Sequence, residues 1–104
     1  MSLEKRLRAL IADGHDAAPV RVSLAQACLG RGDAADALEH LDKAVALDPD
    51  YTVAWKILGR ALHQDGRDEE AGRAWRRGLE LARAHGDRQA EREMQVFLKR
   101  LERR

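Results

Sequence analysis

A self-similarity of period 34 constrains this chain more than any other feature. The later copy runs from Tyr51 to Ala84. In it, Trp55, Leu58, Gly59 and Leu62 precede a turn at Asp65-Gly66-Arg67, and Ala71, Trp75, Gly78 and Leu81 follow it. Large and small apolar residues recur three and four apart, the period of a helix with one buried face. Gly66 cuts the pattern in two, so the stretch reads as a helix pair. Moving it back by 34 puts Gly66 on Gly32, Leu58 on Leu24, Ala61 on Ala27, Ala71 on Ala37 and Leu81 on Leu47. Trp75 falls on Leu41 and Leu62 on Cys28. The identities sit where two helices would touch, and the solvent positions have drifted. A helix pair of this kind cannot bury its apolar face alone, so repetition at this period predicts stacked pairs.

The flanks extend the stack. Leu3, Leu7, Leu10 and Ile11 share one helical face, and a shift of 34 places the first three on Ala37, Leu41 and Ala44. The opening helix, within residues 1–14, therefore reads as the second half of a repeat, stopped by Gly14. Pro19 suits the first turn of the next helix, because its missing N–H would have had no partner there. Asp33 is a candidate N-cap, as is Asp50 after the Asp48-Pro49-Asp50 corner. Asp68, Glu69 and Glu70 complement the positive end of the helix they open. Ala37, Leu38, Leu41, Ala44, Val45 and Leu47 should face inward. Gly86-Asp87 marks another stop and restart. Ala90, Met94, Phe97, Leu98 and Leu101 line one face of a last helix, residues 87–104. Its register matches the later copy at a shift of 36, so two extra residues sit near Ala84 to Arg88. The expectation is one all-α domain of about six helices: a half-repeat, repeats at 18–50 and 51–85, and a capping helix.

From Ala18 to His85 the chain resembles the tetratricopeptide repeat (TPR) family. The later copy carries the family's pattern at Trp55, Leu58-Gly59, Ala71 and Trp75. It departs at Leu62, where Tyr is usual, and at Arg83, where Pro is usual. The earlier copy keeps Leu24, Ala37, Leu41 and Pro49, but has Arg21 for the Trp and Ala25 for the Gly. The resemblance implies a right-handed α-solenoid and a protein-binding role.

Composition supports a helical chain. Charged residues make up 36% and aromatics 4%, with two prolines and few β-branched residues. A net charge of +1 does not announce a nucleic-acid binder. The halves differ, however. Residues 1–52 hold six basic and nine acidic side chains, net −3, and residues 53–104 hold thirteen and nine, net +4. That asymmetry favours an acidic partner at the C-terminal half or head-to-tail self-contact. Cys28 is the lone cysteine, which excludes an internal disulfide and points to a reducing compartment. No stretch has signal-peptide or membrane-span character, so a cytoplasmic protein without membrane contact is expected.

No catalytic constellation is present, and an enzyme is not expected. His15, His40, His63 and His85 lack metal-ligand spacing and read as surface or linker residues. Cys28 occupies the position of Leu62 and reads as a buried structural thiol. The glycines serve turns, not phosphates, and the acidic cluster at residues 65–70 lacks calcium-loop spacing. Trp55 and Trp75 read as core. No metal or cofactor is expected.

The resemblance also implies a binding surface, because in such arrays the first helix of each pair lines a concave groove. The implied groove residues are Val22, Gln26 and Leu29 from the earlier copy, and Lys56, Arg60 and His63 from the later one. The last helix would add Arg92, Val96 and Lys99, with Arg100 beside them. The groove would be apolar at one end and basic at the other, suited to a peptide carrying acidic residues. The Lys and Asn set with which some family members clamp a C-terminal carboxylate is not reproduced. The chain has no Asn, and Val22, Gln26 and Ile57 stand at three matching positions. The expected role is an adaptor or assembly factor for an unidentified protein partner. Self-assembly through the terminal half-repeats is the alternative. Nucleic acid is disfavoured, because Trp75 and Phe97 are assigned to the core.

Overall fold

The computed structural model describes residues 2–103 and contains six helices: α1 (Leu3–Ala12), α2 (Ala18–Gly30), α3 (Ala34–Leu47), α4 (Thr52–Gln64), α5 (Asp68–His85) and α6 (Arg88–Glu102). There is no strand among the described residues. Four of the five connections are closed in one way. A backbone N–H reaches back to a carbonyl five residues earlier: His15 to Leu10, Asp33 to Cys28, Arg67 to Leu62 and Asp87 to Ala82, at 2.8–2.9 Å. This bond satisfies an orphan carbonyl at the helix end and requires a left-handed residue just before the donor. Gly66, with φ +79°, supplies it in the later repeat. Asp33 and Asp87 then cap the next helices, accepting from the backbone N–H groups of Asp36 (3.0 Å) and Ala90 (3.1 Å).

The fifth connection departs from expectation. Tyr51, not Asp50, stands at the start of α4, and no side chain caps that helix. The Pro49 corner brings Asp50 in one residue early, and its N–H is taken by the Asp48 carboxylate at 3.2 Å. The corner is held instead by the Trp55 indole, whose N–H donates to the Pro49 carbonyl at 2.8 Å.

α2 packs with α3, α4 with α5, and α5 with α6, while α3 joins the two repeats by packing on α4. Small residues let the helices approach. Ala25, Ala37, Ala44, Ala54, Ala61 and Ala71 are fully buried beside Leu24, Leu41 and Ile57. Three leucines expected inside are outside. Leu3 is 62% exposed and Leu10 40%, because α1 packs along α2 and no helix covers its other side; Leu7 is its one buried residue. Leu47 is the last residue of α3, beyond Ala44, where the buried stripe of that helix ends.

The tightest fit in the stack is Trp75 on Gly59. The indole of α5 lies directly on the backbone of α4, where a Cβ at Gly59 would overlap the ring. The Trp75 N–H donates to the Lys56 carbonyl at 3.1 Å, fixing the ring in that place. Gly30, by contrast, faces open space. In an ordinary helix, Gly→Ala stabilises by about 0.5–1 kcal/mol. Gly59→Ala is expected to reverse that sign and cost about 1–3 kcal/mol through overpacking. Gly30→Ala should be neutral or stabilising. Urea unfolding of both variants checks the contrast.

Candidate functional site

α2, α4, α5 and α6 form a half-open cavity of about 750 Å³, lined by Gln26, Leu29, Gly30, Arg60, His63, Gln64, Trp75, Phe97, Arg100 and Leu101. Its size is typical of ligand pockets, which span roughly 300–1,000 Å³. Trp75, 3% exposed, stacks on Phe97 with ring centroids 4.9 Å apart and planes at 28°. The His63 ring also lies beside Trp75, tilted by 49° with centroids 6.1 Å apart. Nδ1 of His63 is 2.8 Å from the Asp68 carboxylate. Leu29 and Leu101 complete the apolar lining. Two cations stand at this apolar surface. Among the described residues neither Arg60 nor Arg100 has an ion-pair partner, although seven other arginines and lysines do.

Four of the nine residues implied by the sequence line the cavity: Gln26, Leu29, Arg60 and His63. Val22 does not belong to this surface. It is 3% exposed, on the buried stripe of α2 with Ala18 and Ala25 four and three residues away. Lys56 is paired with Glu93 at 3.3 Å, which ties α4 to α6. Arg92 is exposed, with its Nε donating to the Arg88 carbonyl at 3.3 Å. Val96 and Lys99 are exposed and lie outside the lining. Sequence reasoning passed over Trp75, Phe97 and Leu101 by assigning them to the core. They do pack there, and they also form the cavity wall. The available signal was Gly59, whose missing side chain lets the Trp75 indole reach α4 and the groove.

A tetratricopeptide repeat family model matches residues 29–90, more than half of the chain, and a second model of the same description matches residues 4–52. The chain belongs to the tetratricopeptide repeat family. A TPR repeat-containing protein of Pseudomonas aeruginosa is 45% identical over 97 residues, covering 93% of this chain and 92% of that one. A protein of Bordetella parapertussis, solved in solution, superimposes with a TM-score of 0.86 at 40% identity, covering 99% of this chain and 90% of that one. A TPR domain protein of Salinibacter ruber, solved by crystallography, gives 0.75 at 29% identity, covering 82% and 94%.

A second polar cluster joins α1, α2 and α3 of the TPR stack. The Cys28 thiol donates to the Asp36 carboxylate at 3.3 Å and lies 3.7 Å from Glu4. The His40 ring completes a group of potential metal ligands with Cys28 and Asp36, all within 4.8 Å. Its surroundings already contain cations, however. Arg31 donates to Glu4 (2.8 Å) and Asp36 (3.0 Å) and sits 3.6 Å from the sulfur. Arg8 donates to Asp36 at 3.1 Å. The Arg21 guanidinium, held by Asp16, donates to Nδ1 of His40 at 3.1 Å. Nδ1 is then an acceptor, so the ring proton sits on Nε2, the nitrogen that faces Asp36 at 3.6 Å. A metal would need that nitrogen bare. The cluster is a tether holding α1 onto the stack.

His40 was expected at the surface and is 7% exposed. Burial pushes its pKa down, opposed by Asp36 and aided by Arg8 and Arg21. Burial also tends to raise the Asp36 carboxyl, but hydrogen bonds from Cys28 and Arg31 and the charges of His40 and Arg8 hold it below the usual range. Burial first, and then the Asp36 carboxylate, push the Cys28 thiol up to about 12.

Two predictions follow from these environments. His40 titrates lower in the folded chain than its ordinary 6.5, so the unfolded chain binds more protons below that pH. Its contribution is complete above 6.5 and is lost as pH falls towards the folded value. Urea unfolding of wild type should show stability declining from pH 7.5 to 5, and His40→Gln should flatten that decline. Cys28 should resist iodoacetamide at pH 8 in the native chain and react promptly in denaturant, as thiol counting by mass spectrometry would show.

Proposed function

We propose that this protein is a non-catalytic interaction module that holds an acidic segment of a partner protein in its concave groove. TPR repeats generally mediate protein–protein interaction, which gives the coarse role. The observation that carries the finer reading is the pair Arg60 and Arg100, two cations without ion-pair partners among the described residues, in a cavity they share with Leu29, Phe97 and Leu101. A guanidinium offers a planar fork of donors that matches a carboxylate, and it is the more weakly hydrated of the basic heads. In a groove half-shielded from water, such a pair selects anionic side chains. Gln26 and Gln64 line the same cavity and can bond a segment's backbone.

The rival readings have less support. Base stacking needs open ring faces, and Trp75 is buried while Phe97 stacks against it. Head-to-tail assembly would place the first helix of another copy against the outer side of α6. There, at the shift of 36, Glu91 and Gln95 replace Trp55 and Gly59, so the seat that receives an indole in α4 is polar and filled. That is the character of a terminal cap.

The test is affinity capture from native cell lysate with wild type and with an Arg60→Glu, Arg100→Glu variant of unchanged helicity. Wild type should retain a discrete partner, less of it as salt is raised, and the variant should lose it. Retention of the same partner by both would overturn the groove reading.

A further inference from the structure

The two repeats do not build the groove alike. α2 packs directly along α4, whereas α6 packs on α5 and does not follow α4 in the same way. α5 has 18 residues and α3 has 14, and α6 begins two residues late in the repeat register. α6 is tied to α4 at Lys56–Glu93, and the cavity opens one turn further on, beside Arg60 and His63. At the corresponding place between α2 and α4 the smaller Leu41 stands for Trp75 and Ala61 for Phe97. The groove is therefore not uniform, and a half-open cavity lies beside the Trp75 and Phe97 rings.

Its walls are specific. Trp75 is immobilised by the Gly59 contact and by its bond to the Lys56 carbonyl, so the floor is rigid. Phe97 and Leu101 project from one side and Leu29 from the other. Aromatic pairs prefer offset or edge-on contacts at centroid separations of about 4.5–7 Å, and the half-buried Phe97 ring, stacked on Trp75, lines the cavity where such a cluster can continue. Arg60 stands on α4 and Arg100 on α6, both exposed and both in the cavity lining.

Resting on the groove reading above, we propose that this cavity takes one bulky apolar side chain of the bound segment, an aromatic one by preference, while Arg60 and Arg100 hold carboxylates on the residues flanking it. The partner's signature is a single aromatic residue set between acidic ones. The apolar anchor supplies most of the affinity, and the arginines set the segment's position and exclude basic sequences.

The experiment is a titration of isotope-labelled protein, followed by NMR, with three end-blocked peptides: Glu-Asp-Trp-Asp-Glu, Glu-Asp-Ala-Asp-Glu and Gln-Ser-Trp-Ser-Gln. The first should move the Trp75 indole N–H and the Leu101 methyl resonances, and bind about tenfold or more tightly than either of the others. Gly30→Leu adds a side chain at a cavity-lining position where nothing lies within 4 Å. It should erase the preference for Trp over Ala without unfolding the chain. Equal binding of the two acidic peptides would overturn the anchor and leave the acidic groove standing. Equal binding of the two Trp peptides would remove the arginines' role. If no peptide moves groove resonances at millimolar concentration, the groove reading fails and the anchor with it.

Discussion

The contact on which this molecule turns is an indole lying on a bare helix backbone. Gly59 supplies no side chain, so Trp75 comes down onto α4 and donates its N–H to the Lys56 carbonyl. That carbonyl belongs to a helix whose own ladder it serves, so the bond is an added one and costs the helix little. The ring joins the two helices of the later repeat and carries Phe97 of the next one. Most other contacts in the core are between alanines and leucines, which tolerate adjustment. A rigid aromatic plate with one fixed hydrogen bond does not, so it sets where α6 can sit.

From that placement the rest follows. α6 rests on α5 through Met94, whose sulfur is 3.2 Å from where a Cβ of Gly78 would be, and on Trp75 through Phe97. It meets α4 through an ion pair and leaves a cavity beside it. The opposite end of the stack is built on different physics. α1 buries one leucine and is held by a network of Glu4, Arg8, Arg31 and Asp36 around the Cys28 thiol. Exposed pairs of this kind each contribute little, and their value lies in acting together. The end away from the cavity is thus tethered by charge, and the end at the cavity is packed by aromatic rings.

Much of this was legible in the chain. A period of 34 gave the helix pairs, the glycines and Asp caps gave the turns, and the shift of 36 before Met94 announced the irregular seating of α6. What the pattern could not supply was the second role of residues already assigned one. Trp75 and Phe97 pack in the core and also wall the cavity. A repeat pattern reports which positions are apolar, and does not report which side of a buried ring stays open. The family register puts Val22 in the groove, whereas its own stripe with Ala18 and Ala25 buries it. His40 is buried because Arg21 of α2 meets it only through the packing of α2 on α3, a contact that its own helical pattern does not report. Leu3 and Leu10 show the reverse error. Their helical pattern is right, but no helix covers the face they present.

The most direct test of the account is hydrogen exchange of the two indole N–H groups in heavy water, read by NMR. Trp75, locked between Gly59 and the Lys56 carbonyl, should exchange only when the repeat opens, with protection like that of the buried amides of α4. Trp55, whose N–H reaches the Pro49 carbonyl at a half-buried corner, should exchange far sooner. Rapid exchange of Trp75 while the α4 amides stay protected would mean that the ring is not fixed, and the rigid floor of the groove would fall with it.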